Sequence, residues 1–178
     1  IIDTFSECTG KCDNKECLSS GKTCTQIHNK NYDKLKADIE QFRSSHTDSN
    51  EVLFFSADMG MGKTYAALSY CAENKNSLYF SFRHISAEFA LKTFAERYPD
   101  IFKNCTTWSD FFDCLQIYGK EKRPTVFFDD VGERNDKNDF YAALKNFTEE
   151  TKGNVLVVLI GRPWEQVEIP CRTISITP

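Results

Sequence analysis

The chain has 178 residues, enough for one α/β domain with a sizeable core. Its net charge is −4 and it holds no lysine or arginine block, so nucleic acid is not indicated as a partner. No apolar run approaches the length of a membrane span and no signal-peptide pattern opens the chain, so the expectation is a cytoplasmic protein with no membrane contact.

Residues 1–27 read as a separate cysteine-rich segment. It is polar and carries Cys8, Cys12, Cys17 and Cys24, with gaps of three, four and six residues. Four thiolates could hold one zinc ion, but the short C-x2-C pairs of zinc knuckles are missing. Free thiols, disulfides and zinc all remain open for this segment. Residues 28–178 read as one domain. Tyr32, Leu35, Ile39 and Phe42 recur at helical spacing among charged residues, which predicts an amphipathic helix ahead of the first strand.

Val52, Leu53, Phe54 and Phe55 form the short apolar run of a strand buried on both faces. Ala57, Asp58, Met59, Gly60, Met61, Gly62, Lys63 and Thr64 follow at once, and Tyr65 continues into a good helix sequence. Strand, glycine loop, Lys-Thr and helix is the context of a phosphate-binding loop. Gly60 and Gly62 can adopt dihedrals closed to other residues, so backbone N–H groups can turn around a phosphate. Lys63 can reach β- and γ-phosphates, and the Thr64 hydroxyl can ligate Mg²⁺. Ala57 stands where the pattern GxxxxGK[ST] has its first glycine.

A second strand is expected over 78–82. Ser86 is placed to cap a helix through Tyr98, with Phe89, Ala90, Phe94 and Tyr98 as its apolar stripe and Pro99 as its stop. Thr107 and Asp110 have capping-box spacing for a helix through Tyr118, ended by Gly119. Trp108, Phe111, Phe112 and Tyr118 read as core rather than as a base-stacking platform. Residues 124–130 are an apolar strand ending in Asp129 and Asp130. Ligands of open α/β sheets bind at that end, and two adjacent carboxylates are costly there without a cation. Asp129 is therefore assigned to an Mg²⁺ shell, directly or through water, opposite Thr64. Asp130 is assigned to the attacking water. A helix carrying Phe140, Leu144 and Phe147 follows, then a fourth strand over 155–160 and a short fifth over 173–176. Arg162 lies just beyond the fourth strand, either as a phosphate sensor or as a solvated loop arginine. Arg134 is a candidate arginine finger.

Taken in order, these motifs resemble the AAA+/STAND branch of the P-loop NTPases, which includes archaeal-type ATPases and NB-ARC cores. ADMGMGKT is similar to their GxxGxGKT loop, VFFDD to their hhhhDD strand, and VLVVLIGR to their fourth strand with a sensor arginine. The resemblance covers roughly 50–178. It implies a three-layer core with a five-stranded parallel sheet in the order 5-1-4-3-2 between helices. It also implies ATP and Mg²⁺ as cofactors, slow hydrolysis, and a switch acting on protein partners or further domains of a longer chain. The alternative is a nucleotide-responsive binding module with little hydrolysis. A small-molecule kinase is a third reading, without the arginine-rich lid such enzymes need. Two features depart from the branch. Asp130 stands where many relatives have glutamate, and no helical lid or winged-helix segment follows the fifth strand, so the chain reads as a core without its lid.

Overall fold

The structure is a computed structural model, and it describes residues 30–45, 50–132, 136–150 and 154–176. The cysteine-rich segment and Arg134 lie outside these residues. The described elements are α1 (Lys30–Ser45), β1 (Glu51–Ser56), α2 (Lys63–Glu73), β2 (Leu78–Ser81), α3 (Ala87–Arg97), α4 (Trp108–Lys122), β3 (Thr125–Asp129), α5 (Lys137–Glu150), β4 (Leu156–Gly161) and β5 (Arg172–Ser175).

All five strands pair in parallel, in the order β2-β3-β4-β1-β5. Read from the other edge this is the expected 5-1-4-3-2. β4 lies between the strand that leads into the glycine loop and the strand that ends in Asp129. β3 and β4 are buried along their whole length, and the apolar runs at 126–128 and 156–160 suit strands covered on both faces.

Alternate side chains of each strand go to opposite faces and build two cores. On one face Leu53, Phe55, Tyr79, Phe127 and Val158 pack with Ala66, Ala67 and Tyr70 of α2 and Leu35, Ile39 and Phe42 of α1. On the other, Phe54, Phe80, Phe128 and Val157 pack with α3, α4 and α5. Phe80 is the hub of that second core. Its ring centroid lies 4.6 Å from Phe94, 5.3 Å from Phe111 and 5.3 Å from Phe128. Trp108, Phe111 and Phe112 are buried, and Trp108 Nε1 donates to Asp136 Oδ2 at 3.1 Å. Phe89 departs from its expected place in the stripe and is exposed. Neighbouring helix positions point about 100° apart, and Ala90 takes the inward direction.

Buried polar groups fix the layers in place. Asn50 Nδ2 donates to Gln116 Oε1 at 2.7 Å and to the Phe147 carbonyl at 3.1 Å, while Asn50 Oδ1 accepts from Val155 N–H at 3.2 Å. Arg43 Nη2 donates to the Pro124 carbonyl at 2.6 Å and to Thr125 Oγ1 at 2.8 Å, tying the end of α1 to the start of β3.

α4 runs past the expected stop. Its capping box starts at Thr107, but it runs on to Lys122 and is capped by Arg123, which takes the left-handed conformation at φ 49°. Gly119 is an interior helical residue, and its lack of a side chain lets Val155 pack directly on the helix backbone. A Cβ there overlaps the Val155 side chain. Gly119→Ala is therefore expected to lower stability by about 1–3 kcal/mol through overpacking, although alanine is the better helix former. Chemical denaturation checks this, and a neutral or stabilising result contradicts it.

Candidate functional site

The C-terminal ends of β1, β3 and β4 meet at one edge of the sheet, and each delivers part of a single cavity. β1 feeds the glycine loop. Gly60 and Gly62 both have positive φ, 80° and 76°, and Gly62 caps the N-terminus of α2. A Cβ on Gly60 would meet nothing within 4 Å, so the loop faces open space. The cavity in front of it has a volume of about 350 Å³ and is lined by Met59, Gly60, Gly62, Lys63, Thr64, Tyr65, Arg83, Asp129, Asp130, Gly161 and Arg162. Ala57, Asp58 and Met61 do not line it. Ala57 is fully buried, which shows that the fold has room for its methyl group. Asp58 is exposed. The Met61 carbonyl accepts a hydrogen bond from Asn31 Nδ2 at the start of α1.

Lys63 Nζ curls back on its own loop, donating to the Ala57 carbonyl at 2.5 Å and the Asp58 carbonyl at 2.9 Å. Burial lowers its pKa; Asp129, Glu165 and Asp130 oppose that effect and Arg162 adds to it. Thr64 Oγ1 donates to Asp129 Oδ2 at 2.7 Å, and Tyr79 Oη donates to the same oxygen at 2.8 Å. Asp129 is buried, 5% exposed. Burial raises its pKa, Asp130 adds to the rise, and the two hydroxyls and Lys63 pull it down.

Asp130 is set apart from Asp129 by its backbone. Its φ of 62° is left-handed, a conformation aspartate tolerates better than most residues. Its carboxylate lies 3.5 Å from Arg83 Nε, and both side chains are well exposed. Arg162 is half-buried, with its guanidinium 5.6 Å from the centre of the exposed Trp164 ring. The Glu165 carboxylate packs over Gly161 and Gly132.

The cavity thus collects Lys63, Thr64, Asp129, Asp130 and Arg162 from three strand ends. Arg83, Tyr79, Glu165 and Asn31 are additions that the sequence did not single out. Arg83 carried a signal, since it lies just beyond the predicted second strand at the ligand edge of the sheet. The donor set suits a phosphate with a small hard cation: a glycine loop at a helix N-terminus, one lysine, one hydroxyl and a buried carboxylate. A larger groove of about 550 Å³ runs along α3 between Leu91, Ala95, Pro99 and Cys105, with mainly apolar walls.

No family model matches the chain, and no curated protein does. Among solved structures it is similar to the Orc1 protein of Aeropyrum pernix in complex with DNA, with a TM-score of 0.51 and 15% identity. The likeness covers 85% of this chain and 45% of that one, so the chain spans less than half the length of Orc1. The likeness is one of fold: a five-stranded parallel sheet in the order 5-1-4-3-2 between helices. One expectation is corrected here. Nucleic acid was not indicated by composition, yet a protein of this fold was solved with DNA. Net charge summed over a domain does not report local patches or what a larger protein binds, so it cannot support that exclusion. Among the described residues, no helix is long and apolar enough to cross a membrane.

The buried acid gives this site a cost that can be measured. With its pKa raised, the folded state holds the Asp129 proton more tightly than the unfolded chain does. Below about pH 3.9, the ordinary aspartate value, the carboxyl is protonated in both states and carries no penalty. As pH rises through the folded value, ionisation removes stability. Asp129→Asn keeps an oxygen for both hydroxyls and removes the charge. It is expected to raise the melting temperature of the unliganded protein by a few degrees at pH 7, about 1 kcal/mol, with the gain shrinking toward pH 4. Thermal unfolding across pH checks this; destabilisation at pH 7 contradicts it.

Proposed function

We propose that the chain binds ATP with Mg²⁺ in this cavity and hydrolyses it slowly, as the switch element of a larger protein or assembly. The observation that carries the reading is the convergence of Lys63, Thr64 and Asp129 on one open cavity, in front of two left-handed glycines. In this reading Lys63 exchanges its two neutral loop carbonyls for anionic phosphate oxygens, so that donor and acceptor are both charged. The Gly60 and Gly62 amides and the α2 N-terminus hold the phosphates. Thr64 and Asp129 hold Mg²⁺, which when bound supplies positive charge to the phosphate oxygens. Asp130 orients the attacking water. Arg162 reads the terminal phosphate, with its guanidinium in cation–π range of the Trp164 ring. Within this fold, the ADMGMGKT loop and the Asp-Asp strand end support a STAND-type switch in the cytoplasm, where nucleoside triphosphates are abundant.

One observation favours the second reading, a module that binds nucleotide and leaves it intact. Asp130 is one methylene shorter than glutamate, and Arg83 already engages its carboxylate. A side chain so held has less freedom to take a proton from water.

Removing the Lys63 charge tests the site. Lys63→Ala is expected to weaken ATP binding by about tenfold or more while shifting the melting temperature little. Calorimetric titration of the folded variant decides: ATP affinity equal to that of the unmodified protein contradicts the phosphate-loop reading.

A further inference from the structure

Tyr79 stands out for a hydroxyl that packing does not require. The described strands carry six aromatic residues, Phe54, Phe55, Tyr79, Phe80, Phe127 and Phe128. Five are phenylalanine, and the only one with a polar tip is the one that reaches Asp129. Tyr79 is 7% exposed and its ring belongs to the core formed with α1 and α2. Parallel register explains its reach. Ser81 pairs with Asp129 and Tyr79 with Phe127, so Tyr79 lies one pleat upstream of Asp129 on the neighbouring strand. From there its hydroxyl donates 2.8 Å to Asp129 Oδ2, while Thr64 donates to the same oxygen at 2.7 Å.

The two donors differ in what they can do when a cation arrives. Thr64 is at the exposed start of α2, and in the reading proposed above its oxygen turns to the metal. Its bond to Asp129 is then given up or weakened. Tyr79 is locked in the core by its ring, so its hydroxyl stays. A carboxylate held at one oxygen by a rigid donor keeps one rotamer, which is how outer hydrogen bonds orient ligating groups at metal sites.

We propose that Tyr79 is a positioning residue of the cation site, holding the Asp129 carboxylate through Oδ2 in the orientation that receives Mg²⁺. The inference rests on the ATP–Mg²⁺ reading of the cavity and adds a residue that touches neither nucleotide nor metal. A tyrosine hydroxyl that only satisfies a buried polar group would affect stability and leave metal dependence alone.

The test is Tyr79→Phe, which keeps the ring and its packing. ATP affinity is measured by calorimetry with excess MgCl₂ and with EDTA, for the unmodified protein and the variant, and thermal unfolding confirms that the variant folds. The ratio of the two affinities measures the contribution of Mg²⁺. That ratio is expected to fall by about tenfold in the variant, with affinity in EDTA unchanged. A fall of about threefold or more supports the proposal, and a smaller one overturns it whatever happens to stability. Should the unmodified protein bind ATP no better with Mg²⁺ than with EDTA, the metal reading itself fails and Tyr79 falls with it. Strong Mg²⁺ dependence that survives in Tyr79→Phe removes Tyr79 alone.

Discussion

A carboxylate buried at the end of a central strand has to be compensated, and at Asp129 the compensation organises the rest of the site. Water reaches only a small part of this side chain. Two hydroxyls bond to it, from α2 and β2, and Lys63 stands near enough to favour its charged form. These groups offset burial only partly, since the net effect still raises the pKa. A costly acid kept at a cavity wall is a common mark of a site held for function rather than for stability, and the proposed cation would offset that cost.

The scaffold explains why this arrangement is held to within a hydrogen-bond length. The wall carries residues from several strands, and each strand is clamped on both faces by side chains in van der Waals contact. Arg43 ties α1 to the start of β3, and Asn50 ties the start of β1 to α4, α5 and β4. These polar anchors sit at the opposite end of the strands from the cavity. The ligand edge is left to loops and helix termini, where backbone groups are available and side chains can move.

Much of the fold was legible because strands buried on both faces are written as unbroken apolar runs. The runs over 52–55 and 155–160, and the run that ends in Asp129, could hardly be anything else in a chain of this class. Strand order was legible only through resemblance to a family, since nothing in an apolar run names its neighbour. The loop motif and the Asp-Asp strand end exposed the core of the candidate site. Tyr79, Arg83, Asn31 and Glu165 stayed hidden for a physical reason. Their roles come from register and from chain segments meeting in space, and no local spacing records either. Gly119 misled because glycine ends helices and also permits close packing; the sequence shows the residue and not the Val155 methyl against it. The exclusion of nucleic acid failed because an average charge was asked to describe a surface.

The geometry gathers Lys63, Thr64, Asp129, Asp130 and Arg162 around one cavity, and none of them lines the mainly apolar groove along α3. The central claim is that nucleotide enters the first. Amide NMR of the isotope-labelled protein during titration with ATP and MgCl₂ tests this most directly, because it reports location as well as affinity. The account predicts large, saturable shifts for the amides of Gly60, Gly62, Lys63 and Thr64, with smaller ones at Asp130 and Arg162. Shifts confined to the α3 groove, or none at millimolar ATP, would contradict it.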